Sequence, residues 1–253
     1  MRDDSTIFTA LLIGEMSMFF GAKVFKICQA MTIVCALTLA AQASAAGIAD
    51  LSNGDAASGL KEALSRGAEA AVGQLGKTNG FLGDARVKIP LPESARAAEK
   101  MMRTFGMKKQ ADELIETMNH AAEIAVVEAK PILTDAVRKM SFADARGILA
   151  GGDDAATQYF KRTTSEAIGA KFLPIVKRST DKVNLAGQYN QYAGQAAKLG
   201  LLDKKDADLD TYVTHKAMDG LFLMIAEEEK AIRRDPIGTG SHLLQQVFGA
   251  LGK

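Results

Sequence analysis

The chain has no tryptophan, and only 6% of its 253 residues are aromatic. A site that grips sugars or quaternary cations on broad aromatic faces has little to be built from. Its two cysteines, Cys28 and Cys35, both lie near the start. Beyond them no disulfide, thiolate nucleophile or cysteine metal ligand can form. Neither sign of charge dominates: 31 Lys and Arg stand against 30 Asp and Glu, a formal charge of +1. That balance speaks against a nucleic-acid binder and against an acidic, solvating tail. There is no internal repeat, no low-complexity block and no charge run long enough for disorder.

What is present begins with a leader. Lys23 and Lys26 precede the apolar run Ile27–Ala41, which ends in Ala43-Ser44-Ala45. This is the three-part pattern of a secretory signal peptide over residues 1–45, with cleavage before Ala46. The run falls short of the roughly 20 apolar residues that span a bilayer, and no stop-transfer pattern follows. Ahead of it, Arg2, Asp3, Asp4 and Glu15 surround a second apolar stretch. A start at Met16 or Met18 would leave a signal of ordinary length. Val34 stands where a lipoprotein acceptor needs a small residue before Cys35, so lipidation is not expected. Cleavage would remove three basic and three acidic residues with both cysteines and leave the charge at +1. The expected location is the periplasm, where nucleotides are not expected as substrates.

Residues 46–54 are small and polar and are expected to form a flexible leader. Residues 55–253 carry helical periodicity nearly throughout, and their length suits a single domain. Asp55 or Ser58 is placed to cap a first helix with Leu60, Leu64, Ala68, Ala71, Val72 and Leu75 on one face, ended by Gly76. Between Phe81 and Pro92, the alternating Val87, Ile89 and Leu91 suggest a short hairpin or an extended arm, kept to an edge by Pro90 and Pro92. Met101, Met102 and Phe105 join Ala95 and Ala98 on the apolar face of the next helix. A longer one runs from about Lys108 to Lys130, where Pro131 either kinks it or opens another. Ser141 and Asp144 form a capping box. Thr163 or Thr164 is expected to separate a Tyr159-Phe160 segment from one bent near Pro174. Leu185–Leu199, Asp208–Arg234 and an amphipathic segment from Ser241 complete the set. The expected fold class is all-α: one multi-helix, bundle-like domain with at most a short β-hairpin or arm near residues 80–91.

The segment Asp208–Arg234 carries the most chemistry. Projected at about 100° per residue, its apolar residues wrap almost fully around between Leu221 and Ala226, as in a helix running through the centre of a domain. Glu228 projects onto the apolar side and Glu229 outward, where it can pair with Arg233 at i,i+4. A carboxylate at Glu228 should be paired, hydrogen-bonded or raised in pKa. Tyr212, Lys216, Asp219 and Lys230 share another face, with Lys216 and Asp219 spaced to pair. Asp153 and Asp154 open a helix after Gly151-Gly152, a pattern suited to a cap or a cation. Glu228, Asp153, Asp154, Lys216 and Asp219 are therefore the candidate catalytic residues, each with a purely structural alternative.

Other motifs fail on chemistry. Asp206, Asp208 and Asp210 begin a calcium loop, but Thr211 replaces its glycine and Ala217 its bidentate glutamate. Gly76-Lys77-Thr78 copies the end of a phosphate loop without its first glycine or preceding strand. His120, His215 and His242 lack metal-ligand spacing, and the methionines follow core periodicity. No cofactor is expected, and no metal ligand is assigned.

Several stretches together resemble a known family: Leu75–Leu82, Val87–Pro92, Gly151–Phe160, and Asp208–Pro236 with its Tyr212-Val-Thr, Asp219-Gly-Leu-Phe and triple glutamate. They are similar to exported Gram-negative bacterial proteins grouped as domain of unknown function 4197. The resemblance spans about Asp55 to Gly249 and implies a single helical domain behind a signal peptide. It implies no activity and assigns no residue a role. The expected function is a periplasmic, non-enzymatic domain that binds an envelope protein or small ligand through the Phe81–Leu91 arm or the last helix. Alternatives are a hydrolase-like enzyme, with or without a divalent metal, using buried carboxylates, and a surface protein whose last helix touches lipid.

Overall fold

A computed structural model describes residues 53–183, 186–191, 198 and 208–235. The expected signal peptide, most of the tyrosine-bearing segment near residue 190 and the amphipathic segment from Ser241 lie outside the described residues. The architecture is all-α.

Helix α1, Asn53–Leu75, buries Leu60, Leu64, Ala68, Ala71, Val72 and Leu75, the predicted face. It starts earlier than the expected caps, and the Ser58 hydroxyl donates back to the Gly54 carbonyl (2.9 Å). Gly76 closes it with an N–H to Val72 O of 2.8 Å. Residues 78–87 then form turns and 88–92 follow as an arm without regular secondary structure. The described residues hold no strand, so the expected hairpin-or-arm is an arm. A single 3-10 turn, Glu93–Ala95, leads into α2, Arg96–Thr104. Gly106, with φ +82°, turns the chain into α3, Lys108–Val126. A positive φ there is the left-handed geometry that glycine adopts without a Cβ penalty.

Pro131 opens a helix rather than kinking one. It is the third residue of α4, Ala129–Lys139, where an N–H has no intrahelical partner to lose. Helix α5, Phe142–Ala150, starts on the predicted capping box: the Asp144 N–H donates to Ser141 Oγ (3.1 Å), and the Ser141 N–H donates to Asp144 Oδ2 (3.1 Å). Helix α6, Ala155–Thr180, is continuous, against the expected division at Thr163 or Thr164. Both hydroxyls fold back onto the carbonyls of Tyr159 (2.8 Å) and Phe160 (2.7 Å), so neither starts a new helix. Asp208 caps α7, Leu209–Arg234, accepting the Thr211 N–H at 2.7 Å. This takes up one aspartate of the failed calcium loop.

Helix α7 packs against α6, α1 and α3, and α6 against α3, α4 and α5. The predicted central helix is thus central. The fully covered side chains of the core include Phe81 of the arm, Phe160 and Phe172 of α6, and Leu133 of α4. Burial of such side chains contributes about 1.5–3 kcal/mol each. Met101 and Phe105 depart from expectation. They are 60% and 73% exposed: the contact of this part of α2 with α3 is made by Arg103, whose guanidinium lies 2.7 Å from Asp112, and Phe105 falls just past the helix end.

Candidate functional site

The arm is held in place by side chains of α3 that stand on its apolar stripe. Glu123 is buried, and its carboxylate accepts the backbone N–H groups of Asn79 (3.2 Å), Phe81 (3.0 Å) and Leu82 (3.2 Å). The turn around residues 77–82 therefore forms an N–H cradle of the kind that binds anions, with an internal carboxylate already in it. Gly80 has no alternative there: a Cβ would lie 2.3 Å from Leu75 O. His120 Nδ1 sits 2.7 Å from Glu123 Oε2 and 3.4 Å separates its Nε2 from Glu116. The hydrogen bond to Glu123 raises the His120 pKa above its usual value.

One turn earlier, Asn119 pairs with the arm as a strand residue would. The Ile89 N–H donates to Asn119 Oδ1 (2.8 Å), and Asn119 Nδ2 donates to Ile89 O (2.9 Å). Tyr212 of α7 donates its hydroxyl to Pro90 O (3.1 Å). Phe81 and Val87 lie on Gly220, where a Cβ would come within 2.7 Å of the Phe81 ring. Glycine at 220 is what lets the arm approach α7 this closely. Arg86 bonds both Asp84 and Glu227, tying the arm's outer edge to the far half of α7. Its hydrogen bonds lower the Asp84 pKa to about 2.

Between arm and helix lies a cleft of about 690 Å³, within the size range of small-molecule sites. Lys88, Pro90 and Arg96 line one side, and Tyr212, His215, Lys216, Asp219 and Leu223 the other. Lys216 Nζ is 3.7 Å from Asp219 Oδ2 and 6.0 Å from the Tyr212 ring centre. Arg96 is 2.8 Å from Glu93. The lining thus offers donors and acceptors in pairs.

Two of the predicted candidates, Lys216 and Asp219, come together in this cleft, and in the expected pair. The other three do not line it. Asp153 and Asp154 are exposed rather than buried, and Asp154 makes no cap bond to the backbone of α6; it accepts Gln158 Nε2 at 2.9 Å. The cap comes from Glu229 of α7. Its carboxylate accepts the N–H of Ala156 (3.0 Å), the N–H of Thr157 (2.9 Å) and the Thr157 hydroxyl (2.9 Å). Arg233 closes the other side at 2.8 Å and donates to Ile148 O at 3.0 Å.

Glu229 therefore does pair with Arg233, but the outward projection is overturned: it is only 4% exposed. Helix α7 is covered on two sides, and the α6 side continues Phe222 and Ile225 into Glu229. The N-terminus of α6 supplies the donors that make a carboxylate tolerable there. Glu228 is half-buried, with its Cβ about 3.5 Å from the place a side chain on Gly67 would occupy. Burial, and then the neighbouring Glu227, raise its pKa, as the sequence suggested.

A smaller groove of about 380 Å³ lies between Gly169, Ala170 and Leu173 of α6 and Thr211, Thr214 and Met218 of α7. The buried Thr214 hydroxyl has no partner there. Among the described residues, no three His, Cys, Asp or Glu side chains converge to hold a metal, and no helix is long and apolar enough to cross a membrane.

These features define an all-helical protein in which buried carboxylates on two helices fasten an extended arm and a helix end, leaving a cleft beside the arm. The chain belongs to the family described as protein of unknown function (DUF4197), whose model matches residues 50–249. No curated protein and no solved structure matches it.

Proposed function

We propose that the protein is a periplasmic, non-enzymatic binding module, and that its ligand is a small polar molecule held in the cleft between the arm and α7. The observation that carries this reading is that the arm is fastened from its inner side. Glu123, Asn119 and Tyr212 take up its backbone groups at Asn79, Phe81, Leu82, Ile89 and Pro90. A wall fixed without a ligand costs little to organise when one arrives. The paired charges Lys216–Asp219 and Arg96–Glu93, with Tyr212 and His215 on the α7 wall, suit a molecule carrying both a carboxylate and a donor group. The leader Lys23–Ala45 supports export.

The test uses protein recovered from a periplasmic extract, whose first residue is expected to be Ala46. A panel of free amino acids, dicarboxylates and hexose phosphates is titrated while amide NMR shifts are followed. At least one compound is expected to move Lys88, His215 and Leu223 together, and Lys216→Ala with Lys88→Ala is expected to weaken it at least tenfold. Shifts confined to other regions, or binding indifferent to both substitutions, would remove the cleft as the site.

A further inference from the structure

The turn joining α2 to α3 has a composition found nowhere else along the described chain. From Lys100 to Lys109 the sequence reads Lys-Met-Met-Arg-Thr-Phe-Gly-Met-Lys-Lys, with four basic residues, four large apolar ones and no acid. Phe105 is 73% exposed, Met101 60% and Met107 43%. Arg103 is engaged by Glu99 and Asp112. Lys100, Lys108 and Lys109 are exposed, and among the described residues none of them enters an ion pair. The positive φ of Gly106 sets Phe105 and Met107 on either side of one tight bend. An apolar apex flanked by uncommitted lysines is complementary to a surface that is apolar beneath and negative on top.

We propose that the Phe105-Gly106-Met107 bend is a membrane-docking tip, which inserts its apolar residues into the interface of an anionic bilayer while Lys100, Lys108 and Lys109 contact the headgroups. Charge decides this occupant. A second copy of the chain would bring the same lysines against each other, and a neutral apolar groove would leave them without a role. The tip does not depend on the cleft, and either assignment stands if the other fails.

The absence of tryptophan from the chain supplies the test. Phe105→Trp places a sole indole at the apex of the full-length protein, so binding through any other segment leaves its emission unchanged. Vesicles of equal parts phosphatidylcholine and phosphatidylglycerol are expected to shift that emission to the blue. Pure phosphatidylcholine is expected to do so weakly, and added salt to reverse it. Met101→Trp repeats the measurement from the neighbouring turn. Lys108→Gln with Lys109→Gln is expected to lower the partition coefficient on the anionic vesicles about 30-fold. Phe105→Ser should lower flotation about tenfold with an unchanged melting curve, as befits an exposed side chain. Three results would overturn the proposal. They are emission unmoved by anionic vesicles, an equal shift with neutral ones, or a shift that grows with protein concentration in the absence of lipid, which would make the bend a contact between copies.

Discussion

Glu123 and Glu229 both project from a helix into the interior, and both accept backbone N–H groups from a distant segment. They differ in what lies on either side. Glu229 meets the first turn of α6, where unpaired N–H groups and the helix dipole favour an anion, and it is balanced by Arg233. Glu123 meets an irregular turn with no helix behind it, and it is balanced by His120. Arginine holds its charge at every pH a protein survives, whereas histidine loses its own near neutrality. One fastening is balanced by a fixed charge, and the other by a group that can titrate.

The strongest way to break this contrast is Glu229→Ala. It leaves a half-buried guanidinium and the buried α6 N–H groups without their acceptor, and should cost about 3–5 kcal/mol in urea unfolding. A loss below about 1 kcal/mol would mean that water or Asp154 replaces the cap. Asn119→Ala acts at the other fastening and removes two buried bonds to the arm, for about 2–3 kcal/mol. Hydrogen exchange should then quicken at Ile89 and its neighbours while the start of α6 stays protected. Uniform acceleration would show that the two regions open as one.

The smallest effect is the most discriminating. The His120 pKa is raised in the folded state by its bond to Glu123, so its contribution to stability is fully present below the ordinary value of 6.5 and is lost as pH rises through the higher folded value. Stability should therefore decline over that interval, and only slightly, because solvent screens a ring that is about a third exposed. His120→Gln should flatten the decline and Arg233→Gln should not. An unchanged slope in His120→Gln would place the titrating group elsewhere.

Much of this was legible locally. The Ser141–Asp144 box and the breaks at Gly76 and Gly106 are decided by residues within a turn of each other, and they fall where periodicity puts them. The misreadings in α2 and α7 are questions of what packs where. A single projection gives α7 one apolar side, so Glu228 was expected inside and Glu229 outside, but α6 covers a second side and reverses the order. Phe105 reads as core, but it falls just past the end of α2, where Arg103 makes the contact with α3. Asn119 and Glu123 stood in plain view as polar residues on the stripe of Leu114, Met118, Ala122 and Ala125. That was the available signal for the arm's fastening, and its partners lie about 30 and 40 positions upstream. The cleft has no sequence signature, since the arm meets α7 through Gly220, Tyr212 and Glu227, all more than a hundred positions away in the chain.

The acceptor for the Ala156 N–H belongs to a residue 73 positions later in the chain. At about 5–20 residues per second on the ribosome, the two are synthesised roughly 4–15 s apart. During that interval the N-terminal end of α6 must rely on solvent, and a chain interrupted before codon 229 cannot complete it. Assembly of this protein is consequently timed by its last described helix. A nascent polypeptide released before that helix emerges would still lack the bond that locks it.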